Sequence, residues 1–452
     1  MYNEKMSLSI ARGLRADLSD CIAFAGSGGK TTALFQLART LPYPVIVTAT
    51  SHLGAWQTQM ADHHIMTDSA APLEELEQDL KGVLLVTGKM DGDRTKPLHE
   101  SLLEWLHRFS NDHDIPLLIE ADGSRQKPIK AWADHEPAIP GFVNRVVQVV
   151  GLSALGKTLS NEIVHRAELY SEISGLSHGE TIHAESMTRA LLHPNGGLKN
   201  IPDNAHKVVL LNQADSAELQ AAAHGMVNPL LSGYDSVLIS SLLHEQIHAV
   251  HEPIAGIVLA AGESSRYGKA KQLLDWRGDP FVRAVTRTAK AAGLSPIVVV
   301  SGAHADQIES AVMDLGAEVA HNPHWQSGQG SSIRTGLSQL QKAERAGRRV
   351  GGAIFLLADQ PQVTHSILRA LIEKHAEGLY PVVAPMVMDR RANPVLFDRS
   401  TFKDLATLEG DTGGRAIFHK HYVEYLPWHD DRLLLDVDTP EMYQRLLSDD
   451  TL

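Results

Sequence analysis

One pattern constrains this chain more than any other. Short apolar runs rich in β-branched residues alternate with amphipathic stretches, and the alternation is written twice over along 452 residues. The first half contains CIAFAG, PVIVTAT, GVLLVTG, IPLLIEAD, RVVQVVG, KVVLLNQAD and DSVLIS. The second contains IAGIVLAAG, PIVVVSG, AEVAHN, AIFLLADQ, PVVAPMV and YVEYLPW. Strands that are apolar at nearly every position need cover on both faces, and parallel sheets with crossover helices supply it. Between the first two runs, Leu34, Leu37, Ala38 and Leu41 recur at i, i+3, i+4 and i+7, which is one face of a helix. Phe281, Ala284, Val285 and Thr288 do the same later in the chain. Near residue 252 the text breaks at HAVHEP, and Pro253 precedes a fresh apolar run. The expected architecture is two doubly wound α/β domains in series, residues 1–252 and 253–452.

Charge and cysteine content narrow the classes of partner. The formal net charge of −13 disfavours nonspecific attachment to nucleic acid or anionic lipid, so neither nucleic acid nor membrane is expected as a partner. A single cysteine, Cys21, excludes an internal disulfide and any all-cysteine metal site within one chain, and it suits a reducing compartment. The first twenty residues carry Glu4, Lys5, Arg12, Arg15 and Asp17 without a sustained apolar core, and the expected location is the cytoplasm.

The motif GSGGKTT, Gly26 to Thr32, follows the first apolar run and opens the first helical pattern. Gly26, Ser27, Gly28 and Gly29 let backbone N–H groups turn toward phosphate oxygens, and a helix N-terminus adds favourable partial charge. Lys30 can reach the β- and γ-phosphates, while Thr31, followed by Thr32, can hold Mg²⁺. Phe24 stands where the usual GxxxxGK[ST] has its first glycine, so the loop is a shortened form like that of the Mur ligases. The domain therefore reads as a P-loop-like NTPase domain binding ATP or GTP. Glu120 and Asp122 stand at the carboxyl end of a buried strand, where a metal-holding acid is expected, and one of them should face the Mg²⁺. Asn212 and Asp215 in LNQAD resemble the guanine-reading NKxD with Gln213 in place of lysine, although a plain turn explains them equally well.

FAGSGGKTT, VTATSHL, EADGSRQKPIKAWADHEPAIP and VHRAEL together resemble the YqeC family, accessory proteins of selenium-dependent molybdenum hydroxylases. The likeness covers about residues 15 to 250, and its specificity rests on the block from Glu120 to Pro140. It implies a nucleotide-dependent accessory role with a molybdenum hydroxylase apoenzyme as partner. It also makes Asp134, His135, Glu136, His165 and Arg166 candidates for the same site.

A second glycine-rich loop, LAAGESSRYGKAKQLL, also follows a strand, but a basic pair replaces GKT. Leu259, Ala260, Ala261, Gly262, Glu263 and Ser264 can offer backbone N–H groups to a nucleotide. Arg266 and Lys271 can neutralise a triphosphate and lower the cost of expelling pyrophosphate. A metal should accompany such a triphosphate. AIFLLADQP delivers Asp359, and LLLDVDTP, read as a strand, delivers Asp438 with Asp436 on the same side. Two carboxylates from separate strand ends can share one Mg²⁺. Each alone could instead cap a helix.

These residues resemble the MobA-like nucleotidyltransferases and, more narrowly, the molybdenum cofactor cytidylyltransferases. The narrower likeness adds NPHWQSGQGSSIRTGL, LLADQP, RANPVLF and GDTGGR. It implies a Rossmann-like nucleotidyltransferase domain in which the terminal phosphate of molybdopterin attacks the α-phosphorus of CTP, giving a cytosine dinucleotide and pyrophosphate. LAAG in place of the LAGG of guanylyltransferases favours CTP over GTP. By the same likeness, acceptor contacts fall to Ser331, Ser332, Arg334, Asn393, Asp411 and Arg415, and Gln329 stands where many relatives have methionine. Two other readings stay open. One is a cytidylyl- or uridylyltransferase for a sugar or polyol phosphate, and the other is a nucleotide-switched chaperone that holds the finished cofactor without turnover.

HEQIH, His244 to His248, has the letters of a zinc protease motif, but 24 histidines make a chance match unremarkable, and it abuts the expected junction. His63-His64 reads as a strand-edge pair, and Cys21 as buried filler.

Overall fold

The computed structural model describes residues 8–70, 80–263 and 270–448. The chain divides into two compact units, Met1–His251 and Glu252–Leu452.

The first unit is built on a nine-stranded sheet. Its strands are β1 (Cys21–Gly26), β2 (Val45–Ala49), β3 (His63–Met66), β4 (Val83–Thr87), β5 (Leu117–Glu120), β6 (Arg145–Gly151), β7 (His206–Asn212), β8 (Ser236–Ser241) and β9 (Gln246–His251). They lie in the order β9-β8-β7-β6-β1-β5-β2-β4-β3. All neighbours are parallel except β8 and β9. Central strands such as β1, β5 and β6 are buried at every residue, as their unbroken apolar text requires. The chain leaves β1 toward β2 on one side and, after β5, crosses to β6 on the other. The end of β1 is therefore a topological switch point, where the crossover helices part and leave a crevice.

The second unit holds a sheet ordered β12-β11-β10-β13-β16-β14-β15. Here β10 is Ile254–Leu259, β11 Ile297–Ser301, β12 Glu318–His321, β13 Gly352–Leu357, β14 Val382–Val387, β15 Arg390–Arg391 and β16 Val395–Asp398. A further strand, β17 (Val423–Pro427), pairs with β14. Strands β12 to β13 run parallel across the sheet, and β16 enters antiparallel. The chain goes from β10 out to β12 and returns on the far side of β10 as β13, so β10 and β13 flank this unit's switch point. It is a doubly wound, Rossmann-like α/β fold.

The helix Lys30–Thr40 buries Leu34, Leu37 and Ala38, with Leu41 buried just beyond it. The helix Phe281–Ala291 instead buries Phe281, Val282, Val285, Thr286 and Ala289, leaving Ala284 and Thr288 half-buried. Its apolar stripe is rotated by one residue from the expected face, so that Val282 and Ala289 join Val258 of β10 and Val299 of β11 in the core. Each large side chain buried this way contributes about 1.5–3 kcal/mol.

The strand expected at LLLDVDTP meets a different structure. LLLDVDTP is not a strand: a 3-10 turn, Asp431–Leu434, and an irregular stretch lead into the helix Pro440–Ser448. Asp430 caps that turn through Arg432 N–H, and buried Val437 pins the stretch without a ladder. RANPVLF contains the unforeseen strand β16. HEQIH spans a 3-10 turn and the start of β9, so His244 and His248 share no helix face.

Candidate functional sites

Glycine-rich turns leave the switch points of both sheets. In the first unit the turn passes from β1 to the helix at Lys30, with Gly26, Gly28 and Gly29 at φ of 94°, 79° and 123°. A Cβ on Gly28 would stand 2.3 Å from Gly151 N, so the turn lies directly against the end of β6. The N–H groups of Gly26, Ser27 and Gly28 donate to Asp122, Val149 O and Lys127 O. The amides left to meet an anion are those of the helix start, from Gly29 to Thr32, which a helix cannot satisfy internally.

Lys30 is buried. Its ammonium donates to Gly26 O at 2.9 Å and pairs with Asp122 at 3.2 Å. Asp122 is fully buried and also accepts from Lys130 at 2.9 Å and Trp132 Nε1 at 2.7 Å. The two acids thus part company. Asp122 is committed to two lysines, whereas Glu120 accepts from the Thr31 hydroxyl at 2.8 Å. Burial pushes the Glu120 carboxyl above its usual range, against the pull of Lys30 and Thr31. Thr32 is exposed. Asn212 supports the turn from behind: its amide donates to Gly28 O at 2.7 Å, and its carbonyl accepts from Leu242 N–H. Asp215 is exposed.

Of the block carried over by likeness, Glu136 turns inward. It bridges Lys130 at 2.9 Å and, with both oxygens, Arg166 at 2.6 and 2.9 Å. Burial alone would raise its carboxyl, but Arg166 and Lys130 outweigh that and hold it at about 2. His165, on a two-residue strand paired with Ile129–Lys130, is held at about 4 by burial and then by Arg166 and Lys130. Asp134 and His135 are exposed. Lys130 and Trp132 were not anticipated. They alternate along an extended segment, a parity that puts both on the side of Asp122.

In the second unit Leu259 and Leu357 are register partners, so the glycine-rich loop and Asp359 leave adjacent strands at the same edge. Ala260 N–H donates to Val300 O, Ala261 O accepts from Ala303 N–H, and Gly262 O accepts from Gln272. Glu263 is exposed. Ser264 and Arg266 lie outside the described residues. Lys271 is the meeting point, since its ammonium donates to Asp438 at 2.8 Å and to Asp359 at 3.3 Å. The two acids, 79 positions apart in sequence, therefore converge on one cation even though Asp438 is not on a strand. Burial raises the Asp359 carboxyl, opposed by Lys271. Burial would lower the Lys271 ammonium, but Asp438 and Asp359 together raise it. Asp436 accepts from Gln360 instead. Two carboxylates gathered around a cation at a strand edge suit a hard divalent ion bound through oxygen.

The remaining residues fall into two groups. Ser331 and Ser332 are buried at the start of the helix Gln329–Arg345. Both accept from Asn322, and Ser331 donates to backbone carbonyls, so their hydroxyls hold the helix start in place. Arg334 donates to Leu408 O and ties down the following loop. Gln329 and Gly413 stand face to face, and the Gly410–Asp411 backbone packs on Gly328. Arg415 approaches Asn393 Oδ1 at 3.4 Å and Arg391 O at 3.3 Å. Asn393 precedes β16, at the same sheet edge as Asp359.

Two family models match different parts of the chain. The YqeC protein family model matches residues 22–168, and the MobA-like NTP transferase domain model matches residues 256–425. The uncharacterized protein YqeC of Escherichia coli is 30% identical over 216 residues, 46% of this chain and 82% of that protein. The chain joins a YqeC family member to a MobA-like NTP transferase domain. The transferase unit is 29% identical over 203 residues to the nicotine blue oxidoreductase of Paenarthrobacter nicotinovorans, 43% of this chain and 96% of that protein. A probable molybdenum cofactor guanylyltransferase of Bacillus cereus is 28% identical over 138 residues, 30% of this chain and 64% of that protein. Among the described residues of the YqeC and transferase units, no helix is long and apolar enough to cross a membrane.

Proposed function

We propose that the transferase unit is a molybdenum cofactor cytidylyltransferase and that the YqeC unit is a nucleotide-dependent accessory domain for maturation of a molybdenum hydroxylase. The observation that carries the first half of this reading is the convergence of Asp359 and Asp438 on Lys271, beside the loop leaving β10. A MobA-like domain and a relative named for guanylyl transfer to the molybdenum cofactor support the chemistry. The choice of CTP rests on LAAG at Leu259 to Gly262.

Asp359 and Asp438 would hold the Mg²⁺, which when bound neutralises charge on the α- and β-phosphates. Before substrate arrives, Lys271 keeps the two carboxylates from repelling each other. Its ammonium then serves the triphosphate, together with Arg266. An oxygen of the acceptor's terminal phosphate forms the new bond to the α-phosphorus, the α–β bridging bond breaks, and pyrophosphate leaves with the electron pair. Asn393 and Arg415 would orient an anionic acceptor, with Asp411 on the loop before Arg415 and Gln329 facing that loop.

The test is incubation of the protein with Mg²⁺, molybdopterin and each nucleoside triphosphate in turn, with pyrophosphate as the readout. Release with CTP is expected. Turnover only with a sugar or polyol phosphate, or binding of the pterin dinucleotide without turnover, would each replace this reading. In the YqeC unit, Lys30, Thr31 and Glu120 form the nucleotide site, with ATP or GTP as ligand. Lys30→Ala should weaken nucleotide binding by about tenfold or more. Unchanged affinities for both would make the turn purely structural.

A further inference from the structure

Beside the glycine-rich turn of the YqeC unit lies a cleft of about 630 Å³, a size that suits a nucleotide-sized ligand. It opens over the carboxyl ends of β2 and β5, next to β1 in the sheet. Arg94, Arg125, Lys127 and Arg166 line it against only two carboxylates, Glu136 and Glu168. Glu136 is already neutralised by Arg166 and buried Lys130, and Glu168 accepts from Asn161 at 2.9 Å. Among the described residues, no carboxylate pairs with Arg94, Arg125 or Lys127. A chain of net charge −13 thus concentrates positive charge in one concavity, where low-dielectric walls focus it and raise the local concentration of anions.

The cations come from three separate segments, so a single local charge run does not explain them. The hairpin near Arg94, the loop after β5 and the Val164–His165 strand each bring one wall. Of an alternating row of ion pairs, only Glu136 and Arg166 line the cleft; Lys130, Asp122 and Lys30 continue it in the buried interior behind. Glu136 fixes Arg166, and no residue of the turn from Gly26 to Thr32 lines the cleft. His165 sits on the cleft's wall and is kept neutral first by burial and then by Arg166 and Lys130.

We propose that this cleft is a second binding site of the YqeC unit, distinct from the glycine-rich turn, for a small molecule bearing a phosphate monoester or diphosphate. Arginine and lysine converging from several directions match the many acceptor oxygens of a phosphate better than the two of a carboxylate. The site stands whichever nucleotide the turn takes. It places the YqeC unit among proteins that bring a nucleotide and a phosphorylated second ligand to adjacent strand ends.

Phenyl phosphate titrated calorimetrically into the full chain tests this. Wild type should bind it, and the triple variant Arg94→Ala, Arg125→Ala, Lys127→Ala should bind about tenfold or more weakly with an unchanged melting temperature. Charge reversal at Arg125→Glu alone should weaken binding in the same direction, and it decides the matter if the triple variant unfolds. Lys30→Ala and Asp359→Asn, each of which alters another phosphate site, should leave the affinity within about twofold. Absence of binding to wild type at millimolar ligand overturns the proposal, as does full affinity in the cleft variants or a loss that follows Lys30→Ala or Asp359→Asn instead.

Discussion

A single ammonium, Lys271, gathers the acids on which the proposed transfer depends, and the consequence is sharp for each partner. Asp359→Asn keeps the shape of the side chain but halves the charge available to a divalent ion. Pyrophosphate release at saturating Mg²⁺ should fall by about 100-fold or more while the melting temperature holds. Retained turnover would remove Asp359 from the metal site. In the YqeC unit Glu136 allows a pH test. Its carboxyl is held at about 2, against 4.5 for an ordinary glutamate, so folding gains stability above pH 4.5 and loses it progressively as pH falls toward 2. Glu136→Gln should flatten acid unfolding in that window. Removing one partner of a buried pair should also cost on the order of 3 kcal/mol at neutral pH, read by chemical denaturation. Much of this was legible at the residue scale. Lys30, Thr31, Lys271, Asp359 and Asp438 stand out by type and spacing. What did not show was which acid does what: Asp122 and Glu120 look equivalent in the text, and only the approach of Lys130 and Trp132 commits Asp122 to a structural role. Ser331 and Ser332 read as ligand contacts, yet burial and Asn322 engage their hydroxyls in holding a helix start.

At the scale of elements, the turn between β1 and its helix works because glycine can take backbone angles that other residues resist. Gly28 combines φ of 79° with a Cβ position 2.3 Å from Gly151 N, a backbone atom that cannot swing aside. Gly28→Ala should push the turn off β6, cost about 2 kcal/mol or more of stability, and weaken nucleotide binding along with it. Thermal melting and nucleotide titration of the same variant check both effects. Strands with unbroken apolar text were readable because burial on both faces leaves no alternation to confuse them. Short or mixed segments were not. LLLDVDTP has strand-like composition, but it joins no sheet, and Asp430 caps the 3-10 turn Asp431–Leu434 that takes its first two leucines. Gln246–His251 becomes an edge strand although its burial is mixed, because β8 offers it an antiparallel ladder.

Across the whole molecule, two compact units with separate sheets predict two separable unfolding transitions in calorimetry. CTP with Mg²⁺ should raise one of them, and ATP or GTP the other. A ligand at a hundredfold excess over its Kd contributes about 2.7 kcal/mol to the unit that binds it. One transition shifted equally by either ligand would contradict that assignment. The sequence by itself determined the α/β alternation, the glycine-rich turns that follow strands and the residue types able to meet phosphate and metal. These are local properties: side-chain period, backbone freedom and charge are carried by residues close together in the text. Tertiary structure alone decided which distant groups meet. The pairing of Asp359 with Asp438 through Lys271, the ion-pair row from Lys30 to Arg166 and the cationic cleft beside it all depend on strand order. No local spacing encodes which strand ends lie side by side, because that order is set by how helices and strands pack to bury their apolar faces.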